Sequence, residues 1–333
     1  MLIKCGYDTI YATEKSAAFF KKVKDMEKSK TVKKIDVHAH VTAFPEYAPP
    51  NSYTHYRMIS PEELLGFYDK LDIEKGVLLP IVAPEAQFTP LTSCECKYVA
   101  DKYPDRFIWF CNVDPRNDRN APDADLSKLL MHYKSLGAKG FGELTTNIPA
   151  DDPLMDNLFR YCAECDLPVT IHVAPMDKYG FYGIKDDLGL PRIEKMLKKY
   201  PKLKIFGHSQ TFWSEISGDV DEQTRREWPT SKIKGEGRLT KLLREYPNLY
   251  CDLSADSGRN AFMRDPEHAA RFIEEFSDRI MYGCDICATY NTHPFVFNEW
   301  LNKFREDGYI SEENYYKFVR GNAIRILKLK EKE

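Results

Sequence analysis

No run of apolar residues in this chain approaches the ~18 needed to cross a membrane, and residues 1–30 hold nothing like the apolar stretch of a signal peptide. Both absences point to a soluble, cytoplasmic protein. A basic stripe is missing as well: 48 Lys and Arg stand against 51 Asp and Glu, a net charge of -3, so nucleic acid is not an expected partner. Nowhere in the 333 residues does a Gly-, Ser- or Pro-rich linker, an internal repeat or a low-complexity tract divide the chain. That leaves one domain, 31–333, preceded by a charged helical arm over 1–30. Nine cysteines, an odd and scattered set, fit reduced thiols better than a disulfide framework. Cys162-x-x-Cys165 lies on an amphipathic helical pattern and Cys284-x-x-Cys287 brackets an aspartate, so both pairs read as packing residues.

What is present is a rhythm. Short β-branched or aromatic runs alternate with amphipathic helical stretches, the signature of parallel strands joined by crossover helices. The strand candidates are 34–41, 76–82, 106–113, 138–144, 167–173, 203–209, 249–254 and 279–285, eight in all. Ser60-Pro61-Glu62-Glu63 starts a helix with a cap, a first-position proline and acids in the first turn, and residues 312–327 supply a last amphipathic helix. Eight such units in this length predict an α/β fold, a (β/α)8 TIM barrel. Two connections are too long for plain loops: Thr42 to Ile59 after the first strand and Gln210 to Gly237 after the sixth. Both fall on the side where barrel active sites are built, as walls or lids of a substrate pocket.

The ends of the strands carry the chemistry. His38-Ala39-His40 closes the first run, and strand alternation puts both imidazoles on one face, where they can hold a divalent metal. Glu143 ends the fourth run, His172 the fifth, His208 the sixth and Asp285 the eighth. A barrel gathers these ends around one mouth. Nitrogen and oxygen donors of this kind suit Zn²⁺, with Mn²⁺, Fe²⁺ and Co²⁺ as alternatives. A carboxylate placed between two subsites would admit a second ion roughly 3.5 to 4 Å from the first. The other histidines, His55, His132, His268 and His293, read as surface or packing residues.

From IDVHAH through GFGEL, VTIHV and IFGHS to MYGCD, the chain resembles the amidohydrolase superfamily. Within it, the chain is similar to the amidohydrolase-related branch that holds the aminocarboxymuconate semialdehyde decarboxylase-like enzymes. The resemblance implies that His38, His40, His172 and Asp285 bind metal, that His208 ligates a second ion or acts as a catalytic base, and that Asp285 accepts a proton from the nucleophilic water. It also implies that a glutamate on the fourth strand, here Glu143, bridges two metals in hydrolytic members.

The expected activity is therefore hydrolysis of a small, carboxylate-bearing organic molecule by a metal-activated water, with one or two divalent ions. The alternative is a non-oxidative decarboxylase of an unsaturated or aromatic acid using the same His/Asp site. A barrel that binds without catalysing is the rival from another class. For the substrate, Arg259 and Asn260 follow the seventh strand, with Arg259 suited to a carboxylate. Gln210 and Trp213 follow His208, and Arg57 and Tyr290 are weaker candidates. A small-molecule substrate is the expected partner, with a homodimer left open.

Overall fold

The structure is a computed structural model that describes residues 32–330 apart from 52–53, 87–90 and 178–180. The N-terminal arm, 1–30, lies outside the described residues. Nine strands form: β1 (Lys34–Ala39), β2 (Ile73–Leu78), β3 (Phe107–Trp109), β4 (Phe141–Leu144), β5 (Val169–Pro175), β6 (Ile184–Asp186), β7 (Ile205–His208), β8 (Leu249–Leu253) and β9 (Ile280–Tyr282). All pair in parallel, as β1-β2-β3 and as β4-β5-β7-β8-β9. Single parallel bridges join the two sheets at both seams, Cys111 to Phe141 and Ala39 to Ile286. Eight strands thus follow one another around a barrel in sequence order, each predicted run containing or overlapping its strand.

The ninth strand is the difference from the sequence reading. β6 sits off the ring and extends the pairing of β5, from Val173 to Pro175. Three residues with one apolar pair are too short a signal to separate from loop.

Both faces of the barrel strands are buried, which is why they read as near-continuous apolar runs. Ile35, Val37, Val77, Leu79, Phe110, Phe206, Tyr250 and Met281 pack into one cluster, joined by Ala323, Ile326 and Leu327 of the C-terminal helix. The pairing of β1 is irregular at two places, between Lys34 and Ile35 and again before Ala39. Its pairing with β2 shifts register between Asp36 and Ala39, and Asp36 accepts a hydrogen bond from Tyr68 on the covering helix α1 (Pro61–Leu71). The irregularity re-aims the following residues, as bulges do. The predicted C-terminal helix is interrupted by a π turn at Lys317–Gly321 between helical stretches Glu312–Tyr316 and Asn322–Leu327. No described helix is long and apolar enough to cross a membrane.

Helix α1 begins where the cap signal stands. Ser60 accepts from the Glu63 amide at 3.2 Å and the Glu63 carboxylate accepts from the Ser60 amide at 2.8 Å, a reciprocal capping box. Arg57 reinforces it through two bonds to Glu63, at 2.9 and 3.0 Å. Replacing Ser60 by Ala is expected to lower stability by about 1 kcal/mol, read as a lower denaturant midpoint at unchanged slope in equilibrium unfolding.

Candidate metal centre

Six side chains meet at the C-terminal mouth of the barrel: His38 and His40 from the end of β1, Glu143 from β4, His172 from β5, His208 from β7 and Asp285 just after β9. The Nε2 atoms of His38 and His40 stand 3.0 Å apart. Each ring is fixed from behind. His40 Nδ1 lies 2.8 Å from the Leu79 carbonyl, which can only accept, so Nδ1 carries the hydrogen and the Nε2 lone pair faces the partner histidine. His38 Nδ1 lies 2.6 Å from a carboxylate oxygen of Asp252, with the same consequence. A ring nitrogen held by a carboxylate or carbonyl while the other nitrogen faces the cation is the usual outer support of a metal-binding histidine.

Around these two nitrogens, Glu143 Oε2 lies at 3.5 and 3.4 Å, and Asp285 Oδ1 at 3.7 and 3.5 Å. A tetrahedral ion with ligands at about 2.0–2.1 Å would separate those ligands by about 3.3–3.4 Å. The four donors therefore fit one divalent cation of the zinc type. A second set shares the same carboxylate through its other oxygen: Glu143 Oε1 lies 2.6 Å from His172 Nδ1 and 3.9 Å from His208 Nε2. Asp285 also spans the two sets, its Oδ2 lying 3.7 Å from His208 Nε2. Ser254 holds the far side of His208, Oγ to Nδ1 at 2.8 Å.

Charge in this buried cluster is unevenly placed. Burial opposes protonation of His38, but the carboxylates of Asp252, Asp285 and Glu143 overcome it and hold its pKa well above the ordinary histidine value. For Glu143, burial works toward the neutral acid, and the charge of His38 and then His172 reverses this, taking it well below the carboxylate range. Burial also opposes ionisation of Asp252 and is outweighed by His38. His208 goes the other way, pushed down to about 4 by burial and then by the positive charge of His38. One imidazolium thus stands among carboxylates, in the position a metal dication would take.

Asp252, Ser254 and Asp36 were not singled out from the sequence. Asp36 is fully buried; one oxygen accepts from the backbone amides of His38 at 2.9 Å and Cys284 at 2.8 Å. Together with the Asp285 amide donating to the His38 carbonyl at 2.8 Å, this laces β1 to the segment carrying Asp285. The aspartate in IDVHAH, two residues before the first histidine, was the available signal. Gly283 closes the arrangement: a Cβ there would lie 2.7 Å from Asp252 Oδ1 and 3.3 Å from the Cβ of His38. Asp285 itself adopts a left-handed backbone, φ 53°, which short polar residues tolerate.

A cavity of about 320 Å³ opens over the cluster, lined among others by Phe181, Tyr182, Gln210, Trp228, Asp256 and His293. Of the predicted substrate residues, Gln210 reaches it. Trp213 does not; it is buried under the site, its indole donating to the Asp252 carbonyl at 3.1 Å and its ring packed on Phe262. Arg259 lies 2.5 Å from Asp256 on the next turn of the same helix (Ala255–Met263), so its charge is used locally. Asn260 latches to the Pro229 carbonyl at 2.9 Å, Arg57 serves the capping box, and Tyr290 packs against Tyr56 with ring centres 5.0 Å apart. None of these five lines the cavity over the cluster, though Trp213 and Asn260 line an adjoining pocket that shares Gln210 and Trp228 with it. His293, read there as surface or packing, lines the cavity and is tied through Nε2 to the Cys284 carbonyl at 2.7 Å. The two long connections differ: Gln210 and Trp228 of the later one form cavity wall, whereas no described residue of 42–59 lines the cavity. The eight described cysteines are unpaired.

The sequence model of the family described as Amidohydrolase matches residues 35–329. No curated protein matches the chain. Among solved structures, 5-carboxyvanillate decarboxylase from Sphingomonas paucimobilis is 17% identical with a TM-score of 0.58, covering 90% of this chain and 100% of that one. A probable 2-pyrone-4,6-dicarboxylic acid hydrolase from Acinetobacter baumannii, with citric acid bound, is 15% identical with a TM-score of 0.55, covering 89% and 100%. The 5-carboxyvanillate decarboxylase of Novosphingobium aromaticivorans, complexed with manganese and 4-hydroxy-3-methoxy-5-nitrobenzoic acid, is 19% identical with a TM-score of 0.57, covering 90% and 97%. At these identities the likeness is one of fold.

Metal uptake must displace the His38 proton, so apparent affinity for Zn²⁺ is expected to rise about tenfold per pH unit through neutrality, levelling only above the raised pKa of His38. Asp252→Asn keeps a hydrogen-bonding group on His38 but removes the charge; it is expected to weaken Zn²⁺ binding about 10- to 100-fold at pH 7. Chelator competition on purified protein checks both, and an affinity flat with pH contradicts the first.

Proposed function

The chain belongs to the amidohydrolase family, and from that premise we propose that it is a metal-dependent hydrolase that uses two divalent ions to cleave a small organic substrate at a carbonyl or related electrophile. The observation carrying this reading is the placement of Glu143, whose two oxygens face different donor sets, Oε2 toward His38 and His40, Oε1 toward His172 and His208. A carboxylate with one oxygen in each set is what two ions sharing a bridge require.

His38, His40 and Asp285 would hold the first ion, His172 and His208 the second, and Glu143 both. Bound there, zinc or a similar dication acts as a Lewis acid and brings the pKa of a coordinated water toward ~7. The chain's own groups do the rest. Asp285, at the cavity floor with one side chain oxygen facing each donor set, is placed to take the proton of the attacking water. His208, whose pKa burial pushes down to about 4, is placed as a neutral ligand or hydrogen-bonding group. Asp252 and Ser254 orient His38 and His208 from behind.

The cavity walls set the substrate. Phe181, Tyr182 and Trp228 present aromatic surface, and no Arg or Lys among the described residues lines the cavity. With Arg259 and Arg57 engaged elsewhere, a carboxylate on the substrate has no cationic partner among the described residues of the pocket.

Protein saturated with Zn²⁺ or Mn²⁺ is expected to hold two metal equivalents per chain, and Glu143→Ala about one. A panel of lactones, amides and aromatic acids, scored for hydrolysis and for CO₂ release, should give hydrolysis that chelation abolishes. One metal equivalent in both proteins, or CO₂ release from an aromatic acid, would overturn the reading in favour of the decarboxylase-type reaction.

A further inference from the structure

Tyr182 lines the cavity, carries a hydrogen-bond donor and lies against a candidate metal-binding histidine. Its ring lies over that of His172, centroids 4.5 Å apart at 40°. It lines the same cavity as His208 and Asp285. About 45% of the residue is exposed.

The segment that presents it is built for close approach. Gly183 has φ 116°, and a Cβ there would stand 2.6 Å from the His172 carbonyl oxygen and 2.8 Å from its ring, so only glycine lets the chain pass this near. The Gly183 amide donates to Thr145 at 2.8 Å, and the Asn147 amide group holds the carbonyls of Phe181 and Gly183, at 2.8 and 3.2 Å. Tyr182 is therefore clamped on both sides by residues immediately after the strand that carries Glu143. β6 starts one residue beyond Gly183 and pairs with β5, anchoring the segment to the barrel. An exposed tyrosine on a free loop would need none of these supports.

We propose that the Tyr182 hydroxyl is a catalytic hydrogen-bond donor to the oxyanion that forms in the hydrolysis described above. The inference rests on that reading of the reaction. As the water oxygen bonds to the carbonyl carbon, the π electron pair moves onto the carbonyl oxygen and the water proton passes to Asp285. Tyr182 donates to the new oxyanion without giving up its own proton; a phenol, pKa ≈ 10, stays protonated at neutral pH. A donor already fixed where charge develops stabilises that charge without reorganising at the moment of reaction.

Methylphosphonate, a tetrahedral anion, probes this without a known substrate. Its binding to zinc-loaded wild type, Tyr182→Phe and Tyr290→Phe is measured by isothermal titration at pH 7, alongside zinc content. Wild type and Tyr290→Phe are expected to bind it equally, and Tyr182→Phe about 10- to 100-fold more weakly with zinc content unchanged. Equal affinity in Tyr182→Phe, or no phosphonate binding by wild type, overturns the proposal. Loss of zinc from Tyr182→Phe also overturns it, since the ring would then be a prop for His172. Failure of the hydrolytic reading shows separately, in the zinc stoichiometry of wild type and in the hydrolysis panel.

Discussion

Two imidazole nitrogens with converging lone pairs, 3.0 Å apart and shut away from water, cannot rest side by side unless positive charge lies between them. Everything else at the mouth of this barrel follows from that constraint. The Leu79 carbonyl and the Asp252 carboxylate fix which nitrogen of each ring carries hydrogen, and so force the lone pairs inward. Glu143 and Asp285 close on the same point and make it strongly favourable for a cation. In a medium of low effective dielectric such charges interact over several ångströms with little screening. A proton on His38 meets the need in part, and a dication meets it fully.

The carboxylates divide into two tiers. Glu143 and Asp285 face the donor point, whereas Asp36 and Asp252 stand behind the histidines and touch only protein. Burying an ionised carboxylate costs several kcal/mol unless it is paired and hydrogen-bonded. For Asp36, two backbone amides and the Tyr68 hydroxyl offset burial only in part, leaving its pKa raised to about 7, and its position is what ties the first strand to the last across the barrel seam. The seam, joined by a single bridge at Ala39 and Ile286, is therefore also where the site is assembled. Fold closure and ligand convergence are one event in this molecule, which explains why the smallest residue, Gly283, is placed where β9 leaves the barrel.

Much of this was legible in the sequence, because barrel strands and their terminal ligands are short-range signals. An apolar run ending in His or Asp announces both the strand and the direction in which it delivers a side chain, as at IDVHAH, VTIHV and IFGHS. The supports were less legible since their meaning depends on partners far along the chain: Asp252 reaches back 214 residues to His38, and Asp36 forward 248 to Cys284. The substrate residues misled for a related reason. Arg259, Arg57 and Trp213 follow strands or sit in long connections, but each found a local partner, in Asp256, Glu63 and the Asp252 carbonyl, before it could reach the cavity. Tyr182 carried no motif at all, and its place depends on Gly183 and on a three-residue strand that no periodicity reveals.

Strand ends and connecting loops have separate tasks here. The ends supply donors that any member of such a barrel can place with high precision, since their backbones are locked into the ring. The loops after β5 and β7 supply the aromatic walls, and they are held by charge pairs of their own. Arg225, fully buried in the later loop, lies 3.4 Å from Glu215 and bonds the Asp186 carbonyl of β6 at 3.3 Å, while Arg226 pairs with Asp177 of the earlier loop at 2.7 Å. The two walls are thus fastened to each other as well as to the barrel. The cavity they frame presents aromatic groups, Phe181, Tyr182 and Trp228, beside polar ones, Gln210, Asp256, Asn291 and His293. The walls are thus positioned by contacts of their own, independently of the donors at the strand ends.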